Sequence, residues 1–150
     1  MENLVIKLFK KNFKDKRILI FGNSGFVGSW LSVALNFFGA KILGVSLKMH
    51  NTNYLSNTNT FKKKIKTINC DLKNLDKIEQ NIIKFKPQIV IHLASQPIVK
   101  IGFLYPVKTY ETNIIGTIKI FEILRKIPSI KKILVFTSDK VYSNNEKKLL

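Results

Sequence analysis

Cysteine and long apolar segments are both scarce in this 150-residue chain, and each shortage excludes a class of protein. The single cysteine, Cys70, cannot form an internal disulfide, which indicates a reducing compartment. No apolar run approaches the roughly 18 residues of a membrane span. The apolar residues 4–6 are too few for the core of a signal peptide, since Lys7 follows at once. The sequence therefore predicts a cytoplasmic protein with no membrane partner.

Arginine is scarce as well, which affects how the net charge of +17 is interpreted. Only Arg17 and Arg125 carry the flat guanidinium fork that phosphate and base recognition favour, and all other cations are lysines. The lysines are scattered, apart from the run at positions 62–64. We interpret the charge as a solvated surface that attracts anionic ligands, and we expect no nucleic-acid partner.

Short apolar runs alternate with helical periodicity along most of the chain. The runs are typical of strands buried on both faces, and the predicted strands are 17–21, 41–47, 66–70, 88–93 and 132–137. The predicted helices are 27–38, 75–85 and 106–127. Gly39, just after the first of them, is the glycine that terminates it. The third helix carries its apolar positions at Ile114, Ile118, Phe121 and Leu124.

Alternating strands and helices indicate a parallel sheet with right-handed crossovers. We therefore predict an α/β fold of the Rossmann type, a doubly wound parallel sheet with strand order 3-2-1-4-5. Ligands bind such sheets at the carboxyl ends of the strands where the order reverses, here between strands one and four. The sequence stops soon after strand five, so we expect residues 1–150 to form the N-terminal portion of an NAD(P)-binding domain, truncated and without a substrate-binding region.

A glycine turn follows the first predicted strand. Gly22, Gly25 and Gly28 recur every third residue where the strand meets the helix. In this pattern the first glycine allows a tight turn, the second lets the backbone approach a phosphate, and the third lets helix and strand pack closely. The helix N-terminus adds unpaired N–H groups and the positive end of a dipole. The spacing predicts a site for the pyrophosphate of a dinucleotide.

The ribose of such a cofactor normally meets an acidic residue after strand two, and this chain has none there. The strand ends in Ser46, Leu47 and Lys48. Ser46 is therefore the candidate hydrogen-bond partner of the ribose, and Lys48 is compatible with a 2′-phosphate. We expect NAD as the cofactor and leave NADP open.

Four stretches of the sequence resemble the extended short-chain dehydrogenases/reductases, the NAD-dependent epimerase/dehydratase family. They are residues 22–32, 92–97, 113–117 and 137–142, and the resemblance runs from about residue 13 to residue 144. Within that family, Gly-Ser-Trp-Leu-Ser at 28–32 and Ser-Asp-Lys at 138–140 look like the CDP-glucose 4,6-dehydratases.

The resemblance implies a cofactor site built from the ends of strands one to four. The residues implied for the pyrophosphate are Gly22, Ser24, Gly25, Phe26, Val27 and Gly28. Those implied for the adenine are Asp71 and Leu72, beside Ser46 as the ribose candidate already named. Those implied for the ribose and nicotinamide side are Leu93, Ala94, Ser95 and Thr112.

The resemblance also implies an activity. Members of the family oxidise C4 of a nucleotide-bound hexose by hydride transfer to NAD⁺, which acidifies the C5 proton; water leaves from C6 and the hydride returns there. Ser138, Asp139 and Lys140 would lie at the sugar, with Asp139 protonating the leaving hydroxyl and Lys140 acting as the C5 base or steadying the enolate. The implied partners are a CDP-hexose and, in the complete enzyme, a second copy in a homo-oligomer.

One feature of that family is missing from the sequence. Members oxidise the sugar with a Tyr-x-x-x-Lys pair downstream of strand five, and no tyrosine of this chain is followed by lysine at that spacing. We therefore expect the chain alone to hold a cofactor without turnover. Two alternatives stay open: an epimerase or reductase of the same family, and a non-catalytic NAD(P)-binding domain.

Two further expectations concern side chains outside these motifs. His92 lies on a predicted core strand and His50 has no partners at a metal-ligand spacing, so we expect no metal site. The amphipathic N-terminus is expected to dock against the sheet through Leu4, Leu8 and Phe9, rather than to lie on a membrane.

Overall fold

A single five-stranded sheet organises the computed structural model, which describes residues 4–48, 55 and 58–138. The strands are β1 Arg17–Phe21, β2 Lys41–Ser46, β3 Lys66–Asn69, β4 Ile89–His92 and β5 Lys132–Val135. Their order is β3-β2-β1-β4-β5, and every neighbouring pair is parallel. The predicted α/β fold and strand order are confirmed, although the strands after β1 are slightly shorter than the apolar runs indicated.

Helical segments connect these strands. Before β3 they are α1 Leu4–Phe13, α2 Phe26–Phe37 and α3 Asn59–Lys64. A 3₁₀ helix at Leu72–Ile78 continues into α4 Glu79–Phe85. Between β4 and β5 lie α5 Val99–Leu104, α6 Pro106–Tyr110, a π-helix at Glu111–Ile115 and α7 Gly116–Leu124. None of the helices in the described ranges is long and apolar enough to cross a membrane.

The side chains of the central strand β1 are buried on both faces of the sheet. Its side chains alternate: Leu19 and Phe21 enter one hydrophobic core, and Ile18 and Ile20 enter the other, all four with no exposed surface. The 3₁₀ helix, α4 and α7 complete the first core, and α2 and α3 complete the second. A continuous apolar run is the expected sequence of such a strand.

The long helix predicted from Pro106 is interrupted by the π-helix, and its buried face was predicted wrongly. Of the four expected apolar positions only Leu124 is buried, whereas Ile114, Ile118 and Phe121 are exposed. The buried positions of α7 are Gly116, Ile120, Ile123 and Leu124. The wider π turn changes the helical phase, and α7 is apolar on more than one side, so periodicity alone did not identify the face that meets the sheet.

The N-terminal helix α1 packs differently from the prediction. Leu4 is 81% exposed and Leu8 is also exposed, so neither docks on the sheet. Phe9 stacks on Phe38 at the end of α2, with 5.0 Å between ring centroids, and Phe13 packs against the nearby core. Phe9 and Phe13 share one helix face because they lie one turn apart, and Leu4 and Leu8 occupy another.

Candidate functional site

The glycine turn lies between β1 and α2, as predicted, and two of its glycines are enclosed by backbone. Gly22 has φ +84°, the left-handed region that favours glycine, and a Cβ there would lie 2.8 Å from the Ala94 nitrogen. A Cβ on Gly28 would lie 2.1 Å from the Gly22 carbonyl oxygen. A side chain at either position would therefore separate backbone segments that are in contact.

The third glycine of the turn, Gly25, is less enclosed than the other two. A Cβ there would meet only the Gly22 oxygen, at 3.3 Å. Gly25 is also the N-cap residue of α2, where no side chain caps the helix and the first turn holds no acidic residue. The first N–H groups of a helix have no acceptor within it, and they lie at the positive end of its dipole. This arrangement suits an anionic group placed beside Gly25.

Two polar tethers hold the turn on the sheet. Ser24 donates to Ser46 Oγ through its backbone N–H at 3.3 Å and through its hydroxyl at 2.7 Å. Asn23, fully buried, donates from Nδ2 to Thr67 Oγ1 of β3 at 2.8 Å. Ser46, predicted as a ribose contact, therefore also supports the turn, and it accepts both of these hydrogen bonds. The role of Asn23 was missed, because nothing in the glycine spacing points to it.

A groove of about 200 Å³ crosses the carboxyl ends of β1 to β4. The predicted cofactor residues that line it are Gly22, Gly25, Ser46, Asp71, Leu72, Leu93, Ala94, Ser95 and Thr112. Val45, Leu47 and Cys70 also line it and were not predicted. The groove lies at the switch point of the sheet, because residues that follow β1 and β4, between which the strand order reverses, both line it.

The remaining predicted cofactor residues surround this groove without lining it. Phe26 and Val27 are exposed on the first turn of α2, with Phe26 at 77%. Gly28 is buried beneath the turn. Ser24 is also buried, and its hydroxyl is hydrogen-bonded to Ser46.

On the side of the groove that carries Asp71 and Thr112, polar contacts connect the 3₁₀ helix to the π-helix. The Asp71 carboxylate caps the 3₁₀ helix by accepting from the Lys73 N–H at 3.0 Å. The Lys73 ammonium pairs with the carboxylate of Glu111, the residue before Thr112, and this hydrogen bond raises the pKa of Lys73. Burial and then the Asp71 carboxylate raise the pKa of the Cys70 thiol, which keeps it protonated near neutral pH.

A larger cavity of about 740 Å³ adjoins the groove. It lies between the ends of β4 and β5 and the segment that carries Asn113 and Thr117, and it shares Ala94 and Ser95 with the groove. Ser138, a predicted catalytic residue, lines this cavity. Asp139 and Lys140, the other two, lie outside the described residues.

A hydrogen-bond network that the sequence did not predict supports this cavity. The Asn113 side chain accepts from the Gln96 N–H at 2.8 Å and donates to the Gln96 carbonyl at 3.1 Å. The Thr117 hydroxyl donates to the Asn113 carbonyl at 2.7 Å, so its proton is already used. His92 Nε2, 2.9 Å from Thr117 Oγ1, must therefore be the donor of that pair.

Of the two neutral tautomers of His92, this contact selects the one with its proton on Nε2. Nδ1 is buried and has no hydrogen-bond partner among the described residues. Burial lowers the pKa of His92, which favours the neutral form. The prediction that this histidine is buried is confirmed, and it also lines the larger cavity.

The parallel sheet, the glycine turn at its switch point and the two adjoining cavities define a Rossmann-type α/β domain. A family model described as GDP-mannose 4,6 dehydratase matches residues 19–149. The chain belongs to this family of nucleotide-sugar 4,6-dehydratases and epimerases, which confirms the resemblance stated from the motifs.

Relatives agree with this assignment in sequence, and solved structures agree in fold. The CDP-glucose 4,6-dehydratase of Salmonella typhimurium is 35% identical over 140 residues, which cover 93% of this chain and 39% of the relative. The epimerase Mth375 of Methanothermobacter thermautotrophicus matches with a TM-score of 0.82 and 19% identity, covering 99% of this chain and 43% of that one. The UDP-glucose 4-epimerase of Thermus thermophilus, solved in complex with NAD, matches with a TM-score of 0.66 and 27% identity over 77% of this chain and 36% of its own. The chain thus spans about two fifths of the length of these relatives.

Proposed function

We propose that this chain binds NAD in the groove and is the cofactor-binding portion of a nucleotide-sugar 4,6-dehydratase of the CDP-glucose type. The observation that carries the proposal is Gly25. It combines a position where a Cβ would meet only one protein atom, an uncapped helix N-terminus and a place at the edge of a groove lined by most of the residues predicted from sequence. A dinucleotide has an anionic centre and two flat ends, which suits a groove with an anion site in its middle.

Different residues of the groove would contact different parts of the proposed cofactor. The turn from Gly22 to Gly25 and the start of α2 hold the pyrophosphate. Asp71 and Leu72 contact the adenine, and the Ser46 hydroxyl donates to the adenosine ribose. Among the described residues that line the groove, Asp71 after β3 carries the only carboxylate, and no acidic residue of β2 is there to repel a 2′-phosphate, so the proposed site is compatible with NADP as well.

The larger cavity is the proposed site of the sugar. It meets the groove at Ala94 and Ser95, where Leu93 and Thr112 complete the nicotinamide end. Bound NAD⁺ would supply the hydride acceptor for transient oxidation of the hexose at C4. Ser138 lines this cavity and would bind a sugar hydroxyl. The Salmonella relative, named a CDP-glucose 4,6-dehydratase, supports this choice of substrate.

In this proposal Asp139 and Lys140, which follow Ser138 in the sequence, carry the proton transfers of the elimination. Asp139 would donate a proton to the departing C6 hydroxyl, and Lys140 would take the proton from C5 or stabilise the enolate charge.

A glycine-to-valine change tests the cofactor site. Gly25→Val places a branched side chain where the pyrophosphate would lie, so we expect NADH binding to be abolished while the fold is kept. Calorimetric titration of the full chain with NADH measures the affinity, and thermal unfolding monitors the fold. Trp30→Ala is the matched control, because Trp30 lies on the same helix, is 59% exposed and does not line the groove. Equal NADH affinity in the wild type and Gly25→Val would refute the proposal.

A further inference from the structure

The side chain of Asn23 points away from the groove although the residue lies inside the glycine turn. It is fully buried and takes no part in the groove lining. Its Nδ2 donates to Thr67 Oγ1 at 2.8 Å, and Thr67 belongs to β3, on the far side of β2 from β1. One side chain therefore connects the turn to the outer strand of the sheet.

A glycine in the middle of β2 makes room for this connection. A Cβ on Gly44 would lie 2.1 Å from both Asn23 Cγ and Asn23 Nδ2, and 2.3 Å from Asn23 Oδ1. The Asn23 amide thus occupies the space that any other residue at position 44 would fill. Glycine weakens the interior of a strand, and it is typically found there where another group approaches the backbone closely.

Stability alone does not explain why an amide side chain occupies this buried position. Its Oδ1 is buried without a hydrogen-bond partner among the described residues, and burying an unpaired polar atom destabilises a fold. An apolar side chain of similar size would avoid that cost. The amide offers instead a directed bond that fixes the position of the turn relative to β2 and β3.

We propose that Asn23, seated on Gly44 and bonded to Thr67, is a positioning residue that preorganises the turn and the first N–H groups of α2 for the cofactor's pyrophosphate. This inference rests on the proposed cofactor function. Preorganisation raises affinity because the free turn already has the bound geometry and loses little freedom on binding.

Removing either end of the hydrogen bond tests the inference. We expect Asn23→Ala and Thr67→Val each to weaken NADH binding by about fivefold or more, the equivalent of one net hydrogen bond. The affinities are measured by calorimetry on the full chain. Thr67→Val replaces a hydroxyl by a methyl at a half-buried strand position. If Asn23→Ala does not fold, the NADH affinity of Thr67→Val still tests the inference.

A double variant separates positioning from stability. Gly44→Ala alone forces the amide aside and should lower both the melting temperature and the NADH affinity. In the Asn23→Ala background the new methyl group fills the space left by the amide, so the melting temperature should recover while NADH binding stays weak. Recovery of both together would show a merely structural role and overturn the inference. Unchanged NADH affinity in Asn23→Ala and Thr67→Val would overturn it too, whereas a wild type that binds no NADH would overturn the cofactor site itself.

Discussion

Some residues at the carboxyl edge of the sheet contact the hydrophobic core and also line a cavity. His92 is the clearest case, because its ring lies edge-on to Phe21 of the core and also lines the larger cavity. The bond from Nε2 to Thr117 holds the ring between β4 and α7. A buried neutral imidazole in this position makes the fold sensitive to protonation.

The lowered pKa of His92 predicts loss of stability in mild acid. The unfolded chain binds a proton at a histidine pKa near 6.5, while the folded chain binds it only at lower pH. Stability is therefore complete above the unfolded pKa and declines as the pH falls through 6.5 toward the lower folded pKa. Urea unfolding between about pH 7 and pH 5 should show this decline, and His92→Gln, which keeps a donor for Thr117, should reduce it.

The second histidine supplies the control for this measurement. His50→Gln removes the other imidazole of the chain and should leave the pH dependence unchanged if His92 is its source. The same decline in wild type and His92→Gln would contradict the prediction.

At the scale of elements, the segment between β4 and β5 shapes both cavities. Its π-helix directs Thr112 into the groove and places the adjacent Asn113 against Gln96 in the wall of the larger cavity. The pairing of Lys73 with Glu111 fastens the same π-helix to the 3₁₀ helix. Single-turn π-helices are frequent at functional sites, because the wider turn redirects successive side chains.

The Asn113 clamp should contribute measurably to the stability of this segment. Asn113→Leu leaves the N–H and carbonyl of Gln96 without the side chain that bonds both, so we expect the free energy of unfolding to fall by about 1–3 kcal/mol. Denaturant unfolding provides the value. Lys100→Ala on the neighbouring α5 is exposed and should change it by less than about 0.5 kcal/mol. A change that small in Asn113→Leu would show that the clamp is not needed.

At the scale of the whole molecule, apolar side chains remain exposed on many parts of the described surface, including β5 and α5. Ile133 and Leu134 of β5 are exposed along the edge of the described sheet, and Phe103 of α5 is 83% exposed. An open strand edge beside apolar side chains favours association with other chains. The charge of +17 opposes association only weakly once salt screens it.

We therefore predict that the 150-residue chain self-associates in solution. Sedimentation velocity at about 0.15 M salt should show a concentration-dependent increase in mass. Leu134→Lys should reduce this increase by charging the β5 edge, and Leu8→Lys, a position of similar exposure on α1, should not. A monodisperse monomer with a sharp high-temperature unfolding transition would contradict the prediction and favour a non-catalytic NAD(P)-binding domain.

A second prediction at this scale concerns turnover. The chain has no Tyr-x-x-x-Lys pair for sugar oxidation, so incubation with CDP-glucose and NAD⁺ should give no 4-keto-6-deoxy product by chromatography. The Salmonella relative, assayed at the same concentration, is the positive control. Turnover by this chain would mean that another residue carries out the oxidation.

The sequence by itself determined the parallel sheet, its strand order and the position of the glycine turn. Strands buried on both faces, such as β1, must be apolar throughout, and the right-handed crossover limits how consecutive strands are placed. The glycine spacing located the turn because its conformation and close contacts exclude side chains at Gly22 and Gly28. Most of the groove followed, since its residues directly end or follow the strands.

Only the tertiary structure decided which face of α7 is buried, where the N-terminal helix packs and what Asn23 contacts. Asn23 and Thr67 are 44 positions apart, and Asn113 reaches Gln96 only after α5, α6 and the π-helix have turned the chain. Local periodicity reports how one segment divides between core and solvent. It contains no information about which polar partner another segment presents, because that partner is set when the strands and helices pack together.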